Sequence, residues 1–217
     1  GNHDLSVGGQ LASSIDALQG IVTSVIRDPV CLELDSSRLG GEARAGCIPW
    51  TTESKDVKRL LKSFRDTDLI VGHLAIDKTK VGPVDFEVPG NIPISHFTKC
   101  PPVFLGHYHM HRRIRRDPTV LYIGSLVQHT WGESKETPGM VIYDTWEKSW
   151  NFIENTYSSR FVVVDLRKTK RNNRPRNQDF VRVYVDSLKQ VPKNWLSIPN
   201  IEIHDTELVF TTRELSN

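Results

Sequence analysis

The sequence predicts an α/β fold whose strands are buried on both faces, followed by the start of a small second unit. Three observations predict it. Short continuous apolar runs at 69–71 and 103–105 alternate with stretches of helical periodicity. Each run ends in a Gly-His pair, Gly72-His73 and Gly106-His107. From about residue 120 the pattern becomes short β-prone runs separated by turn residues.

Taken in order, Leu11, Ile15, Leu18, Val22 and Ile26 step by three or four and predict an amphipathic helix over 10–26, stopped at Arg27-Asp28-Pro29. Residues 30–34 and 43–48 read as strands around a Gly40-Gly41 turn. Val57, Leu60, Leu61 and Phe64 predict a helix over 53–65 with Thr52 as its N-cap. The runs at 69–71 and 103–105 predict strands buried on both faces. Residues 74–101, with four prolines and two glycines, read as a long functional loop. Further strands are expected at 120–123, 140–143, 150–153 and 161–164. The basic stretch 167–176 reads as a linker, placing a domain at 1–166, a linker at 167–178 and a second unit from 179 to 217. That unit opens on the alternating strand 180–185, with 201–203 and 208–210 as partners.

Composition sets the bounds. A chain of 217 residues with 38% apolar and 25% charged residues can build a sizeable core. A net charge of +2 does not by itself argue for nucleic acid, so the placement of basic residues matters more. Cys31, Cys47 and Cys100 are odd in number and form no metal-binding pattern, so they read as reduced thiols in a reducing, cytoplasmic compartment. No apolar stretch approaches the ~20 residues of a membrane span, and no membrane partner is expected.

The chemistry gathers in three places: Asn2-His3-Asp4, His73, and the His107-Tyr108-His109 block. In α/β sheets, sites form beyond the carboxyl ends of the strands, where His73 and His107 fall. The Gly before each permits a sharp turn and close backbone approach. Imidazoles and an amide oxygen suit divalent ions such as Mn²⁺, whereas a structural zinc site would draw on thiolates. Two such ions can clamp a phosphate and activate a bridging water. His3 is placed to protonate the leaving oxygen, and Asp4 to orient its imidazole.

With these residues in view, GNHD at 1–4, the strand ending in Gly72-His73 and GHYH at 106–109 resemble the third, fourth and fifth blocks of the calcineurin-like metallophosphoesterases. The segments Tyr122-Ile123-Gly124-Ser125-Leu126 and Trp131-Gly132-Glu133 narrow the resemblance to the SbcD-type nuclease subunits of double-strand-break repair, phage recombination nucleases among them. It covers about residues 1–165. The resemblance implies the C-terminal portion of a four-layer α-β-β-α sandwich followed by the start of a DNA-capping domain. It implies two Mn²⁺ ions, with Asn2, His73 and His107 on one and His109 on the other, His3 as catalytic acid and Asp4 as its partner. It also implies 3′ to 5′ exonuclease and single-strand endonuclease activity, a homodimer, and an SbcC-type ATPase partner, in a bacterial or phage-infected cell. The first two blocks would lie before Gly1. The chain therefore reads as part of a longer nuclease, inactive by itself.

Each assignment competes with a plainer one. A lone His is more often structural than a ligand; it is the joint occurrence of His73, His107 and His109 that favours ligation. His111 reads as a surface residue beside the arginines, and His96, His129 and His204 as structural or solvated. Tyr108 either lines the pocket or packs beneath it. Lys78, Lys80, Arg112, Arg113 and Ser125 are candidate DNA contacts, through phosphates, against the reading of a solvated face or a plain turn. Two other functions stay open: a phosphoprotein phosphatase or small-molecule phosphodiesterase, and a non-catalytic scaffold on the same fold.

Overall fold

Apolar residues at period two and period three to four decide which segments pair and which coil. The computed structural model describes residues 26–36, 41–81, 86–169, 173–205 and 209–211. The helix expected over 10–26 and the site residues Asn2, His3 and Asp4 lie outside them. The chain divides into two units, Gly1–Ser125 with Gly139–Ile153, and Leu126–Pro138 with Glu154–Asn217.

In the first unit, strand β1 (Val30–Ser36) pairs antiparallel with β2 (Gly41–Ile48). Helix α1 (Ser54–Ser63) follows and buries Val57 and Leu61, with Phe64 just beyond it. Lys55, Asp56, Lys58, Arg59 and Lys62 occupy the other positions, so one stripe faces the core. Each buried apolar side chain contributes roughly 1.5–3 kcal/mol. The N-cap is Glu53 rather than the expected Thr52, and no side chain caps the helix. Instead Thr51 Oγ1 accepts the Glu53 N–H at 3.1 Å, turning the chain one residue earlier. Phe64 packs against Gly46, where a β-carbon would stand 2.6 Å from the ring.

Strand β3 (Leu69–His73) leads into the 74–101 segment, which carries structure of its own. It contains β4 (Thr79–Val81) paired antiparallel with β5 (Phe86–Val88), a bridge between Ile76 and Ile92, and a 3₁₀ turn at Ile94–His96. Strands β6 (Val103–Gly106), β7 (Arg112–Arg115) and β8 (Val120–Tyr122) complete a six-stranded sheet of order β1-β2-β3-β6-β8-β7. The four central strands β2, β3, β6 and β8 are parallel, and β1 and β7 run antiparallel at the edges.

All three apolar residues of β6 and of β8 are buried, as a two-sided strand requires. β3 departs from that expectation: Val71 is 37% exposed while Ile70 is buried. Only one of its faces is fully covered among the described residues. Strands β9 (Gly139–Asp144) and β10 (Ser149–Glu154) form a separate two-stranded sheet. Tyr143 of β9 packs against Phe104, ring centroids 5.1 Å apart.

In the second unit, β11 (Phe161–Asp165), β12 (Phe180–Tyr184), β13 (Ile201–His204) and β14 (Val209–Thr211) form a four-stranded sheet in that order. The first three are parallel and the last antiparallel. Alternation along β12 and β13 sends Val181, Val183, Ile201 and Ile203 into a core with Trp195 and Ile198.

The break expected at 167–178 is not where the chain divides. The stretch 167–176 joins two adjacent parallel strands of one sheet rather than two domains. Its described arginines are engaged: Arg167 donates to Asp165, Arg174 to Asn194 O, and Arg176 to the buried Asp179 carboxylate at 2.7 Å and to the carbonyls of Thr156 and Ser158. Gln128, buried, donates to Glu133 O and Glu136 O and accepts the Phe161 N–H at 2.7 Å, which ties 126–138 to β11. The chain as described is mixed α/β, and none of its helices is long and apolar enough to cross a membrane.

Candidate active site

The parallel strands of the six-stranded sheet all end at one edge, and four chain segments leave it together. Trp50 follows β2, His73 is the last residue of β3, His107 follows β6, and Gly124-Ser125 follows β8. The register pairs His73 with Gly106, so His107 stands one step beyond His73 on the neighbouring strand. Their rings lie 5.4 Å apart, inclined at 71°.

Gly106 is required for this approach. A β-carbon there would stand 3.0 Å from His73 Nδ1, closer than a side chain comfortably allows. His107 itself has φ of 99°, a backbone conformation in which a β-carbon is strained by about 1–3 kcal/mol. Packing holds it there. Trp50 stands 4.8 Å from the His107 ring and 5.8 Å, edge-on, from His73. Tyr108 lies 4.6 Å from His107 and 4.8 Å from Tyr122. The Tyr122 hydroxyl donates to Leu74 O at 2.8 Å and accepts the Ile76 N–H at 3.0 Å, joining the ends of β8 and β3. Burial pushes the Tyr122 phenol well above its ordinary value, so it stays a neutral donor.

The third imidazole of the motif is placed differently. His109 is exposed, and its carbonyl accepts the Ser125 N–H at 2.9 Å. Gly124, at φ 80°, makes this contact possible: a β-carbon there would stand 2.8 Å from His111 N. The Ser125 N–H is therefore engaged within the site loop rather than open to a phosphate. His111, expected at the surface, is half-buried and stacked on Phe152 at 3.9 Å. Burial lowers its pKa, opposed by its Nδ1 contact to Ile123 O. A His-rich block beside arginines looks solvated in sequence; the β10 aromatics cover it.

Among the described residues no group of three or more His, Cys, Asp or Glu is arranged to hold a metal. His73 and His107 are what the strand ends bring together. An ion about 2.1 Å from one nitrogen of each ring would leave the ring centres about 5 Å apart, so the pair suits two places in one coordination shell.

Of the basic candidates, Lys78, Lys80 and Arg113 are exposed and Arg112 is half-buried. Arg112 Nη1 donates to Lys80 O at 3.0 Å, so β7 and the β4–β5 hairpin meet. The remaining histidines have local roles. His96 is half-buried and held below its ordinary pKa by burial and by Lys58, the His129 N–H donates to Glu133, and His204 lies 3.4 Å from Glu202. The three cysteines are free thiols, and burial pushes Cys47 and Cys100 toward the inert neutral form.

Trp50 is the residue the motif reading missed. Its signal was present: it ends the apolar strand 43–48 through Pro49, the same strand-end position as His73 and His107. Beside it opens a cavity of ≈ 240 Å³, lined by Trp50, Thr51, Thr52, Asn91, His107 and Tyr108 among others. Tyr108 thus both lines the pocket and packs beneath it. No family model matches the chain, and none of the curated proteins does.

Proposed function

We propose that the chain carries part of a metal-dependent phosphodiester-hydrolysing centre acting on DNA. The observation that carries this reading is the His73–His107 pair: two imidazoles 5.4 Å apart at the carboxyl edge of parallel strands, one on a strained backbone. Strain of this kind persists where surrounding packing enforces a working geometry. His73 and His107, with Asn2, would hold one divalent ion, and His109 would belong to a second. A bound pair of ions would supply charge stabilisation and an activated water. His3 would then donate the proton to the leaving oxygen, with Asp4 orienting it.

DNA is favoured over a phosphoprotein because Arg112 and Lys80 meet at a carbonyl contact beside exposed Lys78 and Arg113. Such a patch binds phosphates without reading sequence. A scaffold without chemistry is disfavoured, since it would not need two imidazoles side by side at the carboxyl edge of the sheet. The finer proposals follow the same line: a four-layer sandwich, an SbcD-type nuclease with a capping domain, a homodimer and an SbcC-type ATPase partner.

Titration with Mn²⁺ followed by NMR tests the centre. Paramagnetic broadening of the His73 and His107 ring signals ahead of His96, His129 and His204 is expected. Uniform broadening of all the histidines would refute it. Tighter salt-sensitive binding of a short oligonucleotide than of a phosphotyrosine peptide is the expected substrate order, and the reverse order would favour a phosphatase.

A further inference from the structure

We infer that the cavity beside His107 is a subsite for one unstacked nucleobase. This deepens the proposed phosphodiester reading by assigning the part of the substrate that lies next to the scissile phosphate. The cavity's ≈ 240 Å³ falls below the ~300–1,000 Å³ of sites for drug-sized ligands, so it suits a single flat group rather than an extended one.

Its walls are chemically suited to that group. Trp50, His107 and Tyr108 supply ring surfaces. Thr51, Thr52 and Asn91 supply neutral donors and acceptors, and among the described residues no Lys, Arg, Asp or Glu lines it. A charged peptide side chain finds no counter-charge among these residues. A nucleotide divides itself between the two places, with its phosphate at the imidazoles and its uncharged base against the aromatic wall. Stacking on such a wall accepts any base, since every base has a π-face.

The floor is built in advance. Asp77 N donates to Ile92 O at 2.9 Å, and Gly90 N donates to Asp77 Oδ1 at 3.3 Å. Ile76 and Ile92 are buried beneath, and the Tyr122 hydroxyl fixes Ile76 from below. At Gly90 a β-carbon would stand 2.6 Å from Ala75 O, so glycine lets the two segments close. The wall touching His107 and the floor under Asn91 are thus both held by buried contacts, and the ligand need not organise them.

The test uses the whole chain, with deoxyadenosine and thymidine as probes and deoxyribose 5-phosphate as the base-free control. The Trp50 indole N–H signal, assigned through Trp50→Phe, is followed by NMR without metal. Saturable shifts at Trp50 and Asn91 with both nucleosides, and none with the control, are expected. Asn91→Trp, at an exposed position on the rim, should weaken nucleoside binding about tenfold or more by filling the space, while Asn91→Ala, which leaves the space open and removes only one polar partner, should weaken it less. Equal shifts with deoxyribose 5-phosphate, or no shift at Trp50 with either nucleoside, overturn the assignment. The Mn²⁺ titration above is scored separately. Nucleoside shifts without selective broadening of His73 and His107 keep the base subsite and remove the metal reading; broadening without nucleoside shifts does the opposite.

Discussion

Gly106 stands against the imidazole of His73, so close that a single added methyl carbon would come within 3.0 Å of Nδ1. Gly106→Ala should therefore push the His73 ring by a few tenths of an ångström while leaving the buried strand β6 paired. Disturbing the support of a ligand typically costs about 10–100-fold in metal affinity. Weaker Mn²⁺ binding with an unfolding midpoint close to that of the parent is the expected result, measured by titration and urea denaturation. Unchanged affinity would mean that His73 is not held in place by this contact.

At position 107 the usual order of alanine and glycine should invert. Elsewhere glycine is about 0.5–1 kcal/mol less stabilising than alanine. With φ at 99°, alanine keeps the strain and glycine releases it. Both substitutions lose the ring contacts to Trp50 and Tyr108 equally, so those contacts cancel in the comparison. His107→Gly should be more stable than His107→Ala by about 1 kcal/mol in urea denaturation. If alanine proves the more stable, the left-handed backbone at this position is wrong.

Removing one oxygen from the core should also be costly. The Tyr122 hydroxyl is wholly buried and serves both Leu74 O and the Ile76 N–H. Tyr122→Phe leaves both backbone groups without that partner, at about 1–3 kcal/mol. The loss should appear in chemical denaturation, together with faster amide exchange at Ile76. Slow exchange at Ile76 in the variant would show that another acceptor takes over.

Acid should weaken the second unit through Asp165. Arg167 grips both carboxylate oxygens, at 2.8 and 2.9 Å, and with Lys168 holds the group far below the usual carboxylate range. The folded pKa thus lies below the unfolded value of about 3.9, so in acid the unfolded chain binds the extra proton more readily. The stabilisation is present above that unfolded value and fades as pH falls toward the folded one. Asp165→Asn should lower the unfolding temperature at neutral pH, with the gap narrowing in acid. A gap independent of pH would remove the ion pair as its cause.

Much of this fold could be read from residue order, and the exceptions have physical causes. Val103, Phe104 and Leu105 form a continuous apolar run, and all three are buried, because both faces of β6 are covered. Arg112, Arg113 and Arg115 hide a strand: β7 has little apolar content and forms because the outer edge of β8 offers unpaired backbone groups. The Gly-His pairs pointed to sharp turns, yet the residue in the left-handed region is His107 rather than Gly106. Local preference would place glycine there; packing by Trp50 and Tyr108 overrides it. Trp50 went unnoticed because a tryptophan after a strand usually reads as core. Only the parallel register of β2, β3 and β6 brings it to the two histidines.

The parallel sheet also has a second rim, at the amino ends of β3 and β8, where Asp66 and Arg116 are exposed. The strand directions set that rim a full strand length from the imidazole pair. A fluorophore, spin label or surface tether attached there would report on or immobilise the protein without crowding His73 and His107. The sheet thus offers separate attachment and working ends, which makes single-molecule observation of this site practical.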